Sequence, residues 1–425
     1  MICSRLAEEL CARAYDKRLD EIYVDQTQTQ LQRERYIAAL EAFQGFYGNR
    51  EVAIYSAPGR SEVGGNHTDH QKGKVLATAV NIDILAIAAK REDNIIRVIS
   101  KGYEEVELDI ADLEVNEADF GSIKGLTRGV LAGFKKQGLK IGGFDVYMES
   151  LVPQGAGLSS SAAFEVAIGN ILSDLYNEGQ VEAVTIAKIG QLAENIYFGK
   201  PCGLMDQMAS SVGGLIGIDF KDTDKPKLTK IDVDFESFGY SLCIVDTKGS
   251  HANLTDEYAA IPTEMKKVAA YFGKEYLREV NANTFYQAIP DLRKNLGDRA
   301  VLRAIHWYNE EERVEAQIEA LEDGDFNRFK SLIKESGDSS YKYLQNVYVA
   351  GNPINQEICI GLAMTENHLG FDVACRVHGG GFAGTIQVFV KNDQVEGYKD
   401  YIEQIFGKGA CHVLKVRPLG GVKVV

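Results

Sequence analysis

A glycine-rich loop that leads directly into an amphipathic helix is the first candidate site. Residues 152–169 read VPQGAGLSSSAAFEVAIG, and the residues suited to anion binding are Gly155, Gly157, Ser159, Ser160 and Ser161. Glycines let a ligand approach the backbone, while hydroxyls and unpaired N–H groups at a helix start attract phosphate. The segment lacks the Gly-Lys-[Ser/Thr] of a Walker loop and the third glycine of the dinucleotide fingerprint. It predicts a nucleotide phosphate site, with a serine-capped helix after a flexible loop as the alternative.

A second segment concentrates charged and polar groups between two apolar stretches. Residues 57–76 read APGRSEVGGNHTDHQKGKVL and carry Arg60, Glu62, Asn66, His67, Asp69 and His70. So many charged and polar side chains on one connecting loop often form a ligand-binding site. The alternatives are a solvated turn and a metal cluster of His67, Asp69 and His70, although that spacing matches no standard zinc motif.

A glycine cluster near the C-terminus is the third segment. Residues 376–390 read RVHGGGFAGTIQVFV. By itself this cluster is equally compatible with a bulge or a tight turn between strands.

The surrounding pattern predicts the elements that position these segments. Apolar residues at helical spacing predict helices within residues 4–47 and at about 160–176 and 184–197. Runs rich in Val and Ile predict a sheet over residues 51–110, and strands near 241–247, 373–380 and 385–393. A polar, proline-containing stretch at 221–230 is the expected linker. We therefore predict an α+β protein of two domains, 1–225 and 226–425, with about 1–30 as a helical extension.

Composition narrows the functional classes. The 425 residues include 46 Lys and Arg against 61 Asp and Glu, a net charge of −15, which argues against a nucleic-acid or anionic membrane surface. Seven scattered cysteines without a Cys-x-x-Cys pair predict reduced thiols. The N-terminal residues are too charged for a signal peptide, so we expect a cytoplasmic protein.

Together, in this order, the three segments resemble the signature motifs of the GHMP small-molecule kinases, and within them the galactokinase family. APGRSEVGGNHTDH is similar to the sugar-binding signature Gly-Arg-Val-Asn-Leu-Ile-Gly-Glu-His-Thr-Asp-Tyr, GLSSSAA to the phosphate loop and GGGFAG to the C-terminal motif. Further matches are AEN, GKPCGLMDQ and the VDT strand that leads to Tyr258. The resemblance runs from about Tyr36 to the C-terminus. It implies a two-domain GHMP kinase fold with the active site in the interdomain cleft.

The resemblance also implies roles for individual residues. Asp206 matches the carboxylate beside the attacking sugar hydroxyl, as general base or orienting group, and Arg60 matches its arginine partner. Ser161 and Glu194 match ligands of Mg²⁺. The expected sugar contacts are Asn66, His67, Asp69, Gly203 and Tyr258, and the expected ATP contacts are Gly155, Gly157, Leu158, Ser159, Ser160 and Ser161.

Three departures bear on the sugar. Where the signature has glutamate this chain has Asn66, where it has the final tyrosine this chain has His70, and where it has the Asn of Arg-Val-Asn this chain has Glu62. Asn66 is expected to meet the sugar's C6 substituent and to tolerate a hydroxyl or a carboxylate. The predicted activity is ATP-dependent phosphorylation of a hexose at C1, most simply galactose. The alternatives are a kinase for galacturonate or another sugar, and a non-catalytic sugar sensor; the oligomeric state is left open.

Overall fold

The computed structural model describes residues 1–250 and 254–425, and within them helices and strands are interleaved along the chain. The helices are α1 Cys3–Cys11, α2 Asp16–Tyr23, α3 Thr29–Tyr47, α4 Ile123–Lys136, α5 Ser160–Asn177, α6 Ala183–Leu192, α7 Met205–Val212, α8 Thr255–Tyr271, α9 Ala282–Gln287, α10 Ile289–Leu296, α11 Asp298–Glu322, α12 Phe326–Ser339, α13 Glu357–Leu369 and α14 Val395–Phe406. The strands are β1 Ala53–Gly64, β2 Lys74–Lys90, β3 Ile95–Ser100, β4 Val106–Asp109, β5 Phe144–Ser150, β6 Leu215–Asp219, β7 Lys227–Ile231, β8 Tyr240–Asp246, β9 Ala374–His378, β10 Thr385–Lys391, β11 Cys411–Leu414 and β12 Val422–Lys423.

The larger sheet is built around the long strands β1 and β2. Its order is β12-β1-β2-β5-β3-β4, and β6 and β7 extend it from the other half of β2. All pairings are antiparallel except β3 with β5, which is parallel. Strands β1 and β2 are buried along nearly their whole length, because helices α4 to α7 cover one face of the sheet and α1 to α3 cover part of the other. This explains why the sequence of β2 is largely apolar.

The smaller sheet has the order β11-β8-β10-β9 and is antiparallel throughout. Helices α13 and α14 pack on the face that carries Cys243 and Val388, and α12 packs on the face that carries Ile244 and Phe389. The core on this second face is continuous with that of the larger sheet. The two sheets therefore share one continuous apolar core.

The N-terminal helices are anchored to the larger sheet by a buried carboxylate. Asp83 on β2 accepts hydrogen bonds from Tyr23 Oη at 2.8 Å and from Arg35 Nη1 at 2.7 Å, and Arg417 Nη1 lies 3.6 Å away. Removing one partner of such a buried pair leaves an uncompensated charge, typically at a cost of about 3–5 kcal/mol. The extension is thus an integral part of the fold.

The predicted α+β class is confirmed, and the elements differ from the prediction in detail. The helix predicted at 184–197 is regular only to Leu192, and residues Ala193–Tyr197 form a π-helical turn. The expected linker contains β7, which pairs with β6 in the larger sheet. The chain reaches the smaller sheet only at Tyr240, and the domain limits at residue 225 stay a prediction. None of the described helices is both long and apolar enough to span a bilayer.

Candidate active site

A buried arginine and a carboxylate form the centre of the candidate site. Arg60 on β1 donates from Nε to Asp206 Oδ1 at 2.7 Å and from Nη2 to Asp206 Oδ2 at 2.6 Å. Asp206 lies in the first turn of α7 and keeps 20% of its side chain exposed. Burial tends to raise the pKa of Asp206, but Arg60 and Ser159 outweigh it and hold the pKa of Asp206 below its usual value. Asp206 is therefore an ionised, oriented acceptor at neutral pH.

The phosphate loop lies directly against this pair. Ser159 donates from Oγ to Asp206 Oδ2 at 2.8 Å, and Arg60 Nη1 donates to the carbonyl of Gly157. Ser159 has a φ of +55°, in a left-handed region that non-glycine residues rarely adopt. The predicted helix begins at Ser160 immediately after it. The loop conformation is thus held by the same residues that form the centre of the site.

The C-terminal glycine cluster closes over the phosphate loop. A Cβ added at Gly157 would lie 2.8 Å from Thr385 Oγ1 and 3.0 Å from His378 Nδ1. A Cβ added at Gly379 would lie 3.9 Å from Gly157 Cα. Only a residue without a side chain allows this approach at position 157, which has a φ of +63°. Two segments more than two hundred residues apart therefore meet, as a site between the two halves requires.

Glu194 and Ser161 lie together beside the loop. Ser161 Oγ donates to Glu194 Oε1 at 2.9 Å, and Lys200 Nζ donates to the same oxygen at 3.0 Å. Gln207 Nε2 donates to Glu194 Oε2 at 2.7 Å and to Glu165 Oε2 at 3.0 Å. The π-helical turn carries Glu194, and such turns are frequent at functional sites.

His67 reaches across to the glycine cluster. Its Nε2 lies 2.9 Å from the carbonyl of Gly380, which can only accept, so Nε2 carries the proton and Nδ1 is the acceptor. Nδ1 is buried without a hydrogen-bond partner among the described residues. Burial, then the neighbouring His70, lower the pKa of His67 to about 3. His67 thus presents a neutral ring with one unused acceptor.

We expect the His67 ring to stay neutral, with the proton on Nε2, from pH 5 to pH 8. Protonation would put a charge in a desolvated position and would have to occur far below the ordinary pKa near 6.5. Long-range ¹H–¹⁵N NMR spectra across this pH range report both the tautomer and the charge. A ring that titrates near pH 6.5, or that carries its proton on Nδ1, contradicts this geometry.

Asp69 and Gly203 approach each other too closely for any side chain at position 203. Asp69 follows His67 in the sugar-signature segment, and Gly203 precedes α7. A Cβ added at Gly203 would lie 1.7 Å from Asp69 Oδ2. Gly203 is therefore required by the position of the Asp69 carboxylate.

Gly203→Ala should displace the Asp69 carboxylate and reduce kcat/KM for the sugar by about 10²-fold, the usual cost of a misplacement near 1 Å. The dissociation constant for nucleotide should stay within about twofold of the parent. Steady-state kinetics and calorimetric nucleotide titration measure the two quantities. Gly397→Ala, at a helical position with open space around the added Cβ, is the matched control. If kcat/KM for the sugar is unchanged in Gly203→Ala, Asp69 does not contribute to sugar binding.

Tyr258 lies on α8 beside the same glycine cluster. Its hydroxyl donates to the carbonyl of Gly381 at 2.9 Å, and its ring meets Phe382 edge-on. The structure thus gathers Tyr258, His67 and the glycine cluster on one side of the cleft, with the phosphate loop adjoining.

Asn66 also lies against the glycine cluster, and its expected contact with the sugar stays a prediction. It is fully buried, and its Nδ2 donates to Glu62 Oε1 at 3.0 Å and to the carbonyl of Gly379 at 2.8 Å. Its Oδ1 accepts from Ser340 Oγ at 3.3 Å and from Asn346 Nδ2 at 2.9 Å. All four hydrogen-bonding positions of the amide are used by protein, so a contact with the sugar would require Asn66 to give up one of these bonds.

The long helix α11 supplies positioning residues that the sequence did not reveal. His306 Nε2 donates to the carbonyl of Asn66 at 2.9 Å, Trp307 Nε1 donates to that of Thr68 at 3.2 Å, and Glu310 Oε1 accepts from Gly65 N at 3.1 Å. All three side chains are buried and fix the backbone of the signature segment. The sequence feature that could have indicated these roles is a set of polar side chains, together with the single tryptophan of the chain, on the buried face of one helix.

Comparisons with known proteins agree with this geometry. The family model described as "GHMP kinases N terminal domain" matches residues 125–214, and the "Galactokinase galactose-binding signature" matches residues 41–90. A galactokinase of Streptomyces coelicolor is 32% identical over 391 residues, which are 90% of this chain and 97% of the relative. The chain belongs to the galactokinase family. A galactokinase of Glaesserella parasuis is also 32% identical, over 86% of this chain and 92% of its own.

The fold agrees with that of the galactokinase family. The crystal structure of Lactococcus lactis galactokinase complexed with galactose superposes with a TM-score of 0.79 at 24% identity, covering 91% of this chain and 99% of that one. A mevalonate kinase structure matches less closely, with a TM-score of 0.58 at 16% identity. The resemblance seen in the sequence is thus confirmed. The two matched segments contain Arg60, the phosphate loop, Glu194 and Asp206, whose individual roles remain predictions.

Proposed function

We propose that this member of the galactokinase family transfers the γ-phosphoryl group of ATP to the anomeric C1 hydroxyl of galactose, giving galactose 1-phosphate and ADP. The relatives from S. coelicolor and G. parasuis are named galactokinases. The observation that carries the proposal is the convergence of Arg60, Asp206 and Ser159 at the mouth of the phosphate loop. It puts an ionised acceptor and a fixed cation beside the place where phosphate would bind.

The phosphate loop is the proposed site for ATP. Residues Gly155 to Ser161, with the N–H groups at the start of α5, provide donors and a favourable helix dipole for the phosphates. Ser161 and Glu194 offer one hydroxyl and one carboxylate oxygen, the hard ligands that Mg²⁺ prefers, and leave other positions for water and phosphate. When bound there, Mg²⁺ would supply charge neutralisation to the phosphate oxygens.

Asp206 orients the attacking hydroxyl in this proposal. Its lowered pKa makes it a weak base, so it accepts a hydrogen bond from the C1 hydroxyl and receives the proton only as the new O–P bond forms and the bond to the β-phosphate oxygen breaks. Arg60 holds the carboxylate in place through two hydrogen bonds and offsets the charge that develops on the transferred group. Positioning and charge neutralisation thus contribute more than proton abstraction.

Galactose is the proposed acceptor, held by His67, Asp69 and Tyr258 with Gly203 allowing close approach. The free Nδ1 of His67 is suited to accept a sugar hydroxyl. Because the Asn66 amide is fully hydrogen-bonded within the protein, it places neither an attractive nor a repulsive group at C6 in this proposal. A C6-oxidised hexose is therefore the principal competitor in a substrate test.

The test is ADP release measured by a coupled assay across hexoses and hexuronic acids, with Asp206→Ala run beside the parent chain. We expect the highest kcat/KM with galactose. ADP release with galacturonate at a higher kcat/KM would assign the uronic acid instead. Sugar and ATP binding without turnover of any member of the panel would identify a sensor.

A further inference from the structure

Lys200 occupies a position beside the phosphate loop that none of the roles above uses. Its Nζ donates to Glu194 Oε1 at 3.0 Å, the oxygen that also accepts from Ser161 Oγ at 2.9 Å. The Lys200 side chain is 61% exposed, whereas that of Glu194 is 1% exposed. The ammonium group therefore approaches Glu194 from the solvent side, where a nucleotide would enter.

The backbone of Lys200 is fixed while its side chain is free to move. The amide of Lys200 donates to the carbonyl of Glu194 at 3.1 Å, which ties the residue to the π-helical turn. Pro201 follows and restricts the backbone of Lys200 to extended conformations. The four-carbon stem then carries a compact charge that can pair with different partners without moving the chain.

The charges around the loop explain why a movable cation matters there. Asp206 and Glu194 are two carboxylates facing the region where the negatively charged phosphates would lie. Arg60 is held by both oxygens of Asp206 and by the carbonyl of Gly157, so it is fixed. Lys200, by contrast, is held among the described residues by a side-chain hydrogen bond to one carboxylate oxygen, Glu194 Oε1.

We propose that Lys200 is a phosphate-binding residue, whose ammonium group pairs with Glu194 without nucleotide and moves to contact the γ-phosphate when nucleotide binds. The proposal rests on the proposed kinase function. In the pair, Lys200 offsets the charge of Glu194. Once that carboxylate is engaged as a metal ligand, the γ-phosphate oxygens would offer the ammonium group a new anionic partner. A charge-assisted contact of this kind is stronger than one between neutral groups.

The experiment compares nucleotides with and without a γ-phosphate. Isothermal titration of the full chain with ADP and with the β,γ-imido analogue of ATP, both with Mg²⁺, gives the ratio of the two dissociation constants. Lys200→Met should lower the affinity for the analogue by about tenfold or more relative to the affinity for ADP, which is the effect expected from losing one charge-assisted contact. Lys200→Arg should restore most of the ratio because it keeps the charge. Lys136→Met, an exposed lysine on α4, is the matched control.

A ratio that stays at the parent value in Lys200→Met overturns the proposal, whether the affinities for both nucleotides fall equally or neither affinity changes. Equal weakening would mean that Lys200 only supports Glu194. Thermal unfolding of each variant shows that the folded chain is being titrated. If the parent chain binds neither nucleotide, the proposed function itself fails; if it binds both and only the ratio is insensitive, Lys200 alone is excluded.

Discussion

Asp206→Ala is expected to lower kcat by about 10²- to 10⁴-fold, the range usual for losing a positioned acid or base. The substitution removes the acceptor for two Arg60 hydrogen bonds and for Ser159 Oγ, and with it the group that orients the sugar hydroxyl. Stopped-time assays of ADP formation at saturating sugar and ATP measure the loss. Nucleotide affinity should stay nearly unchanged, because Asp206 is placed to contact the sugar hydroxyl.

The control for this change is Asp232→Ala, which removes an exposed carboxylate just before the smaller sheet. Its kcat should equal that of the parent. Near-normal turnover in Asp206→Ala would remove Asp206 from the mechanism and, with it, the proposed role of Arg60 in holding that carboxylate for catalysis.

Asn66→Glu is expected to destabilise the fold by about 3–5 kcal/mol, the cost of an uncompensated buried charge. The new carboxylate would lie beside Glu62, which already pairs with the buried Arg376, and would lose the amide donors to Glu62 and Gly379. Burial already raises the pKa of Glu62 against the opposing effect of Arg376, so a second carboxylate has little compensation available. Urea unfolding followed by circular dichroism measures the free energy.

The matched variant is the reciprocal double substitution Glu62→Asn with Asn66→Glu, which restores the order of amide and carboxylate in the family signature. It keeps one carboxylate in the network and should recover at least half of the lost free energy. If Asn66→Glu alone unfolds at the parent's urea midpoint, the amide is not confined to the buried network and a direct contact with the sugar becomes possible again.

Local sequence patterns predicted many of the helices and strands of this fold. The glycine-serine loop followed by apolar residues at helical spacing predicted a helix from 160, and α5 begins at Ser160. Runs rich in Val and Ile predicted a sheet over residues 51–110, and β1 to β4 lie within that range. Such features depend on neighbours in sequence, so they can be read from it.

Contacts between residues far apart in the sequence could not be predicted from local patterns. Some were predicted through the family resemblance, and others could not be predicted. Arg60 and Asp206 are 146 positions apart, and their pairing was expected because both match a known signature. Glu62 and Arg376 are 314 positions apart, and nothing local indicated their ion pair. The surroundings of Asn66 could not be predicted for the same reason: its amide bonds to Glu62, Ser340 and Asn346, two of which come from the other half of the chain.

The proposed function requires that the chain phosphorylate galactose at C1. The most direct measurement is ³¹P and ¹H NMR of the product formed from galactose, ATP and Mg²⁺ by the parent chain, with Asp206→Ala as the blank. We predict one new phosphate monoester whose phosphorus couples to the anomeric proton of galactose, formed in equal amount with ADP. Phosphate on any other carbon, or ADP formed without a sugar phosphate, would contradict the account.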